Sequence, residues 1–113
     1  MTILFRLTAR NWNMKFDERA KAMRRIKNEF EHLDCIFAHE SCITDLTYLS
    51  VIANTYETAR EINPSAAELA RRRYRELEHR FKTCRQLFIS EAQYYKLLNV
   101  FLRIAKKTEE KFS

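Results

Sequence analysis

The chain has no glycine in 113 residues, one proline and one tryptophan. At the average usage of about 7%, roughly eight glycines would be expected. Glycine is the default residue for left-handed turns, tight hairpins and phosphate loops. Its absence excludes a P-loop and a dinucleotide fingerprint and points to helices with few connections. Long hydrophobic runs are missing too. Nothing approaches the ~20 apolar residues that a membrane span needs, so no membrane association is expected. The start, MTILFRLTARNW, has arginines inside its short apolar stretch and no small-residue cleavage site, so no signal peptide is expected. Cysteine is scarce and odd in number, at Cys35, Cys42 and Cys84. Without a secretory signal these read as reduced thiols in a cytoplasmic protein. Cys35 and Cys42 on one helix would be ~10 Å apart in rise, beyond the ~7 Å Cα limit for a disulfide.

The side chains that are present suit one helical domain over 1–113. The chain is 46% hydrophobic and 32% charged, neither disordered nor membrane-embedded by composition. The net charge of +6 is unevenly spread. Residues 1–30 carry eight basic and three acidic side chains, and residues 31–62 one basic and six acidic. Residues 63–90 carry seven against three, and 91–113 five against three. Neighbouring blocks of opposite sign imply charges satisfied within the protein or end to end between copies, rather than one polyanion-binding face.

Apolar residues fall at Phe16, Met23, Ile26, Phe30, Leu33 and Phe37, and from Met23 on the steps of three and four are those of a coiled-coil seam. The phase slips near Ala38–Ser41 and resumes at Cys42, Leu46, Leu49, Ala53 and Tyr56. With no glycine or proline to break it, one long helix over about 16–61 is expected, with a new helix capped by Ser41 as the alternative. Asn63-Pro64 ends it, because the residue before proline is pushed out of the α region. Ser65-x-x-Glu68 then fits a capping box. Beyond it the seam reads Ala67, Ala70, Tyr74, Leu77, Phe81, Cys84, Phe88, Glu91, Tyr95, Leu98, Leu102 and Ala105. This predicts a second helix over about 66–110; the alternative is a break near Ser90, where Ser90 and Gln93 could cap a fresh helix. Residues 1–14 form a short N-terminal segment, either helix or extended arm.

No catalytic motif is present, and no enzyme activity or cofactor is expected. His32, Cys35, His39 and Cys42 have the residue types of a zinc site, but on one helix they span ~15 Å, whereas tetrahedral zinc needs its ligand atoms within ~2.3 Å of one point. The expectation is therefore no metal, with the cysteines packing as small hydrophobes. Cys84 lies on the seam with His79 on another face, which does not make a nucleophile–base pair. Arg71, Arg72, Arg73 and Arg75 are the alternative polyanion face, able to neutralise phosphates. On the heptad they occupy the outward positions e, f, g and b, and Glu68 and Glu76 lie four residues before Arg72 and Arg80 in the favourable order for helix pairs. A solvated flank is the preferred reading, and a nucleic-acid-binding protein of the nucleus is the rival.

Residues 20–112 resemble a stretch of spectrin repeat, spanning a second helix, a third helix and the start of the next first helix. His39-Glu40-Ser41-Cys42-Ile43-Thr44-Asp45-Leu46 is similar to the HE-x-x-[VI]-x-x-L segment of the second helix. Arg73-x-x-x-Leu77-x-x-x-Phe81 resembles the third helix, and Phe101-Leu102-Arg103 with Lys111-Phe112 resembles the opening of the next repeat. Both family tryptophans are phenylalanine here. The resemblance implies a cytoskeletal or scaffold protein that binds other helices.

The expected fold is all-α: long antiparallel helices in a three- or four-helix bundle or coiled coil, spectrin-like. Two long helices bury too little surface alone, so a helical partner or a second copy is expected to complete the bundle as a homo-oligomer. Phe30, Leu33, Phe37, Leu46, Leu49, Tyr74, Leu77, Phe81 and Phe88 should be buried. The partner-binding seam is assigned to Phe30, Leu33, Phe37, Tyr74, Leu77, Phe81, Phe88, Tyr95, Leu98 and Leu102.

Overall fold

A computed structural model describes residues 26–112. Among them there is no strand. Five helices pack together: α1 (Glu31–Ala38), α2 (Leu46–Ile62), α3 (Pro64–Ala70), α4 (Arg80–Leu87) and α5 (Glu91–Lys111). Short 3₁₀ turns at Asn28–Phe30 and Glu40–Cys42 flank α1, and a π turn over Arg71–Arg75 extends α3. The expected segment 1–14, and the expected helix from about 16 to 25, lie outside the described residues.

The helix over 16–61 is broken after Ala38, although no glycine or proline enforces the break. His39 leaves the helical region, and Ile43 is extended. Asp45 then caps α2, its Oδ1 accepting from the Thr47 N–H at 2.8 Å. A β-region residue with a short carboxylate satisfies a free N–H of the first turn, which is what an N-cap requires. Ser41 does not fill that role. The Asn63-Pro64 boundary is present, with a different cap from the one expected. Asn63 accepts from Ala66 N–H at 3.1 Å and Pro64 is the first helical residue, a position where a missing N–H costs nothing. Ser65 therefore sits inside the helix, and Glu68 is free to reach the arginines.

The helix over 66–110 is broken twice. Leu77 and Phe88 both take positive φ, 54° and 56°, the conformation that usually calls for glycine. Each closes the helix before it, with Glu78 N–H donating to the Arg72 carbonyl at 2.8 Å and Ile89 N–H to the Cys84 carbonyl at 3.0 Å. A left-handed non-glycine residue costs roughly 1–2 kcal/mol. The next helices are well started. His79 Nδ1 accepts from Phe81 N–H ahead of α4. Ser90 and Gln93 form both bonds of a capping box ahead of α5, at 3.1 and 2.8 Å. The box outweighs the unbroken heptad register, so the alternative break near Ser90 is the one observed.

α5 is the central element, packed against α1, α2, α3 and α4. Phe37, Tyr56, Tyr74 and Phe101 meet in its middle, with Phe101 5.0 Å from both Phe37 and Tyr56 and 6.3 Å from Tyr74. Ala59, Ala66, Ala70 and Ala105 are fully buried, and small side chains let helix axes approach closely. Phe30, Leu33, Phe37, Tyr74, Leu98 and Leu102 of the expected seam are buried. Leu49 and Tyr95 are only partly so, and Tyr94 fills the core position beside Tyr95. Leu46, Leu77, Phe81 and Phe88 are exposed by 77, 77, 53 and 91%. The breaks explain this, because each rotates the following helix and α4 turns its expected seam outward. No described helix is long and apolar enough to cross a membrane.

Phe101→Ala should cost about 3–5 kcal/mol, whereas Phe81→Ala should stay within about 0.5 kcal/mol, as surface changes do. Leu77→Gly should stabilise by about 1 kcal/mol. Thermal unfolding of the three variants checks this ordering, and a large loss from Phe81→Ala would overturn the outward placement of α4.

Candidate functional site

The arginine run is the densest cluster of ionisable groups, and its geometry follows from the π turn. Five residues at wider pitch fan the guanidinium groups towards different neighbours. Arg71 pairs with Glu68 at 2.7 Å and with Glu76. Arg72 pairs with Glu68 at 2.8 Å and with Glu78 at 3.1 Å. Arg73 reaches across to Asp34 of α1 at 3.4 Å and to the Tyr94 hydroxyl of α5 at 3.3 Å. Arg75 grips Glu40 through two bonds of 3.1 and 3.2 Å and lies 4.0 Å over the Tyr56 ring. Tyr74 donates to Asp34 at 2.5 Å. The run thus joins the 63–90 block to carboxylates of its own block and of the acidic 31–62 block.

The local electrostatics agree. Hydrogen bonds from Arg71, then Arg72, hold the Glu68 carboxyl below its usual value. The Thr83 hydroxyl does the same for Glu78, with help from Arg72. Burial raises the phenols of Tyr56, Tyr74 and Tyr94, and the Asp34 carboxylate adds to the rise at Tyr74. The Glu68–Arg72 pair expected at i,i+4 is formed. The Glu76–Arg80 pair is not: the break at Leu77 turns Glu76 back to Arg71, and Arg80 bonds Glu91 at 2.5 Å. Asp34, Glu40, Tyr56 and Tyr94 were not legible as partners, because they lie on other elements. Only the alternating sign of the charge blocks pointed that way.

Of the four zinc-type residues only Cys35 and His39 come together, Sγ to Nδ1 at 3.7 Å. His39 Nδ1 turns back onto the Cys35 carbonyl at 2.8 Å, His32 faces Glu109 at 3.7 Å, and Cys35 and Cys42 are exposed. No group of three or more His, Cys, Asp or Glu among the described residues could hold a metal ion. Cys84 is partly buried beside the Ser90 carbonyl, and burial raises its thiol pKa, which lowers its reactivity.

Surface hollows among the described residues border these elements. One of about 400 Å³, at the α2–α3 elbow, is lined by Tyr56, Arg60, Pro64, Ala67, Glu68, Arg71 and Arg75. A second, of about 270 Å³, lies along α5 between Ile89, Gln93, Lys96, Leu97 and Val100. A third, of about 490 Å³, lies between the start of α2 and the end of α5. No protein-family model, curated protein or solved structure matches this chain.

The raised phenols give a pH dependence with a definite sign. A buried phenol that stays protonated contributes stability fully present below its ordinary value near 10 and lost as pH rises towards the higher folded value. Unfolding free energy should therefore fall above about pH 10. Ultraviolet titration of the native chain should lag that of the denatured chain, and coincident curves would contradict the burial of these phenols.

Proposed function

We propose that the chain is a non-enzymatic helical interaction module that binds protein partners through exposed apolar side chains. The observation that carries this reading is the outward display of Leu77, Phe81 and Phe88 around α4. Two of the three stand at left-handed positions, so backbone strain is spent where large apolar side chains meet water. Strain of that kind is usually held for a functional reason, and clustered exposed apolar groups mark interaction sites. The finer reading, a spectrin-like scaffold or cytoskeletal protein of the cytoplasm, is supported by the sequence pattern at Phe101–Phe112, while the His39–Leu46 pattern falls across the break between α1 and α2.

A nucleic-acid-binding function is the second reading. Its first candidate face, Arg71, Arg72, Arg73 and Arg75, is weakened as a phosphate site by the internal carboxylates that already occupy it. What favours the reading is a different stripe on α5, Lys96, Arg103 and Lys107, which has no carboxylate partner among the described residues.

Electrophoretic mobility with duplex and single-stranded DNA separates the two. The interaction module should give no shift at about 50 mM or about 200 mM salt. A shift at the lower salt that collapses at the higher would assign the chain to nucleic acid.

A further inference from the structure

α5 has two distinct faces. One, with Tyr94, Leu98, Phe101, Leu102, Ala105 and Thr108, is buried in the core. The other, with Gln93, Lys96, Val100, Arg103 and Lys107, follows steps of three and four residues, so its members line up along one side of the helix over about 21 Å. At the head of that row Ile89, Leu97 and Val100, all half-buried, form a hollow of about 270 Å³ with Gln93 and Lys96. Phe88, one of the exposed apolar residues that carry the interaction-module reading, directly precedes Ile89 and is 91% exposed.

Lys96, Arg103 and Lys107 are exposed, and none of them makes an ion pair or hydrogen bond to a described residue. The carboxylates of their own helix are engaged elsewhere: Glu91 with Arg80, Glu109 with His32, and Glu110 in an interaction of its own. The face thus combines an apolar groove with three cations beside and beyond it. Residues 1–25 do not suit it, because they carry seven basic and two acidic side chains and like charges repel. Within the acidic block 31–62, Asp34 and Glu40 are already engaged inside the fold. A phosphate backbone would use the cations and leave the groove empty. An amphipathic helix uses both, with an apolar stripe for the groove and flanking carboxylates for the cations.

We propose that this face of α5 docks an acidic amphipathic helix of a partner protein. Its apolar side chains lie against Ile89, Leu97 and Val100, and its carboxylates face Lys96, Arg103 and Lys107. This rests on the interaction-module reading and gives the partner a chemistry.

Fluorescence anisotropy of the full chain with a labelled helical peptide of about 18 residues tests it, the peptide carrying leucine at its a and d positions and glutamate at e and g. Binding should reach a Kd on the order of 10 μM at about 50 mM salt and weaken several-fold at about 200 mM. The double variant Lys96→Glu, Arg103→Glu should keep its melting temperature, as surface changes do, and bind at least about tenfold more weakly. The same peptide with glutamine in place of leucine should also lose at least about tenfold. Equal binding by wild type and double variant, equal binding of the two peptides, or no binding of the leucine peptide overturns the proposal. If binding survives in the double variant and is lost in Phe81→Ala, the interaction reading stands with α4 as its face. If neither this peptide nor one with lysine at e and g binds, while short duplex DNA binds the wild type and not the double variant, the interaction reading falls as well.

Discussion

The packing of Phe37, Tyr56 and Tyr74 around Phe101 is what the other elements depend on. These four rings come from α1, α2, the π turn and α5, so one cluster ties together elements far apart in sequence. Edge-to-face and tilted ring pairs add about 0.5–1.5 kcal/mol each beyond simple burial. Two of the rings also carry hydroxyls that must find partners when desolvated. Tyr74 finds Asp34, and that carboxylate in turn receives Arg73. The apolar cluster and the polar network are therefore one construction, with Tyr74 belonging to both.

That coupling accounts for the fate of the arginines. Arg73 and Tyr74 are adjacent in sequence and share the Asp34 carboxylate, so the π turn is fixed against α1 by two groups at once. Arg75 stacks on Tyr56, a second ring of the cluster, while its fork holds Glu40. A run of basic residues that looks like a binding face in one dimension becomes, in three, the seam between an acidic and a basic part of the chain. Among the described residues, one exposed positive stripe lies elsewhere, on Lys96, Arg103 and Lys107 of α5.

The all-α class was legible from the missing glycines and the helical periodicity, and the boundary at Asn63-Pro64 from local chemistry alone. Phe30, Leu33, Phe37, Tyr74, Leu98 and Leu102 were legible as core because they lie within helices whose phase was read correctly. Leu46, Leu77, Phe81 and Phe88 were not, and the reason is specific. Heptad spacing reports helix phase only while the helix continues. The interruptions fall at His39, Leu77 and Phe88, none of which announces a break. A leucine or phenylalanine in the left-handed region is unfavourable by itself and becomes tolerable only when tertiary packing over-determines it. The capping box at Ser90 was the local sign of the last interruption. The pairings of Asp34, Glu40 and Tyr94 depend on topology and left no local trace.

The two left-handed residues also set how the chain comes apart. α4 is bounded on both sides by strained positions, buries only Thr83 completely and packs mainly on α5. Relaxing Leu77 and Phe88 returns part of the free energy that opening the segment would otherwise consume, whereas opening α5 would dismantle the ring cluster. Stability is therefore graded along the described helices: among them, the stretch between Leu77 and Phe88 takes the least free energy to open locally. Among the described helices its amides should exchange with solvent first and be the earliest cut by a protease, well before the fold as a whole is lost.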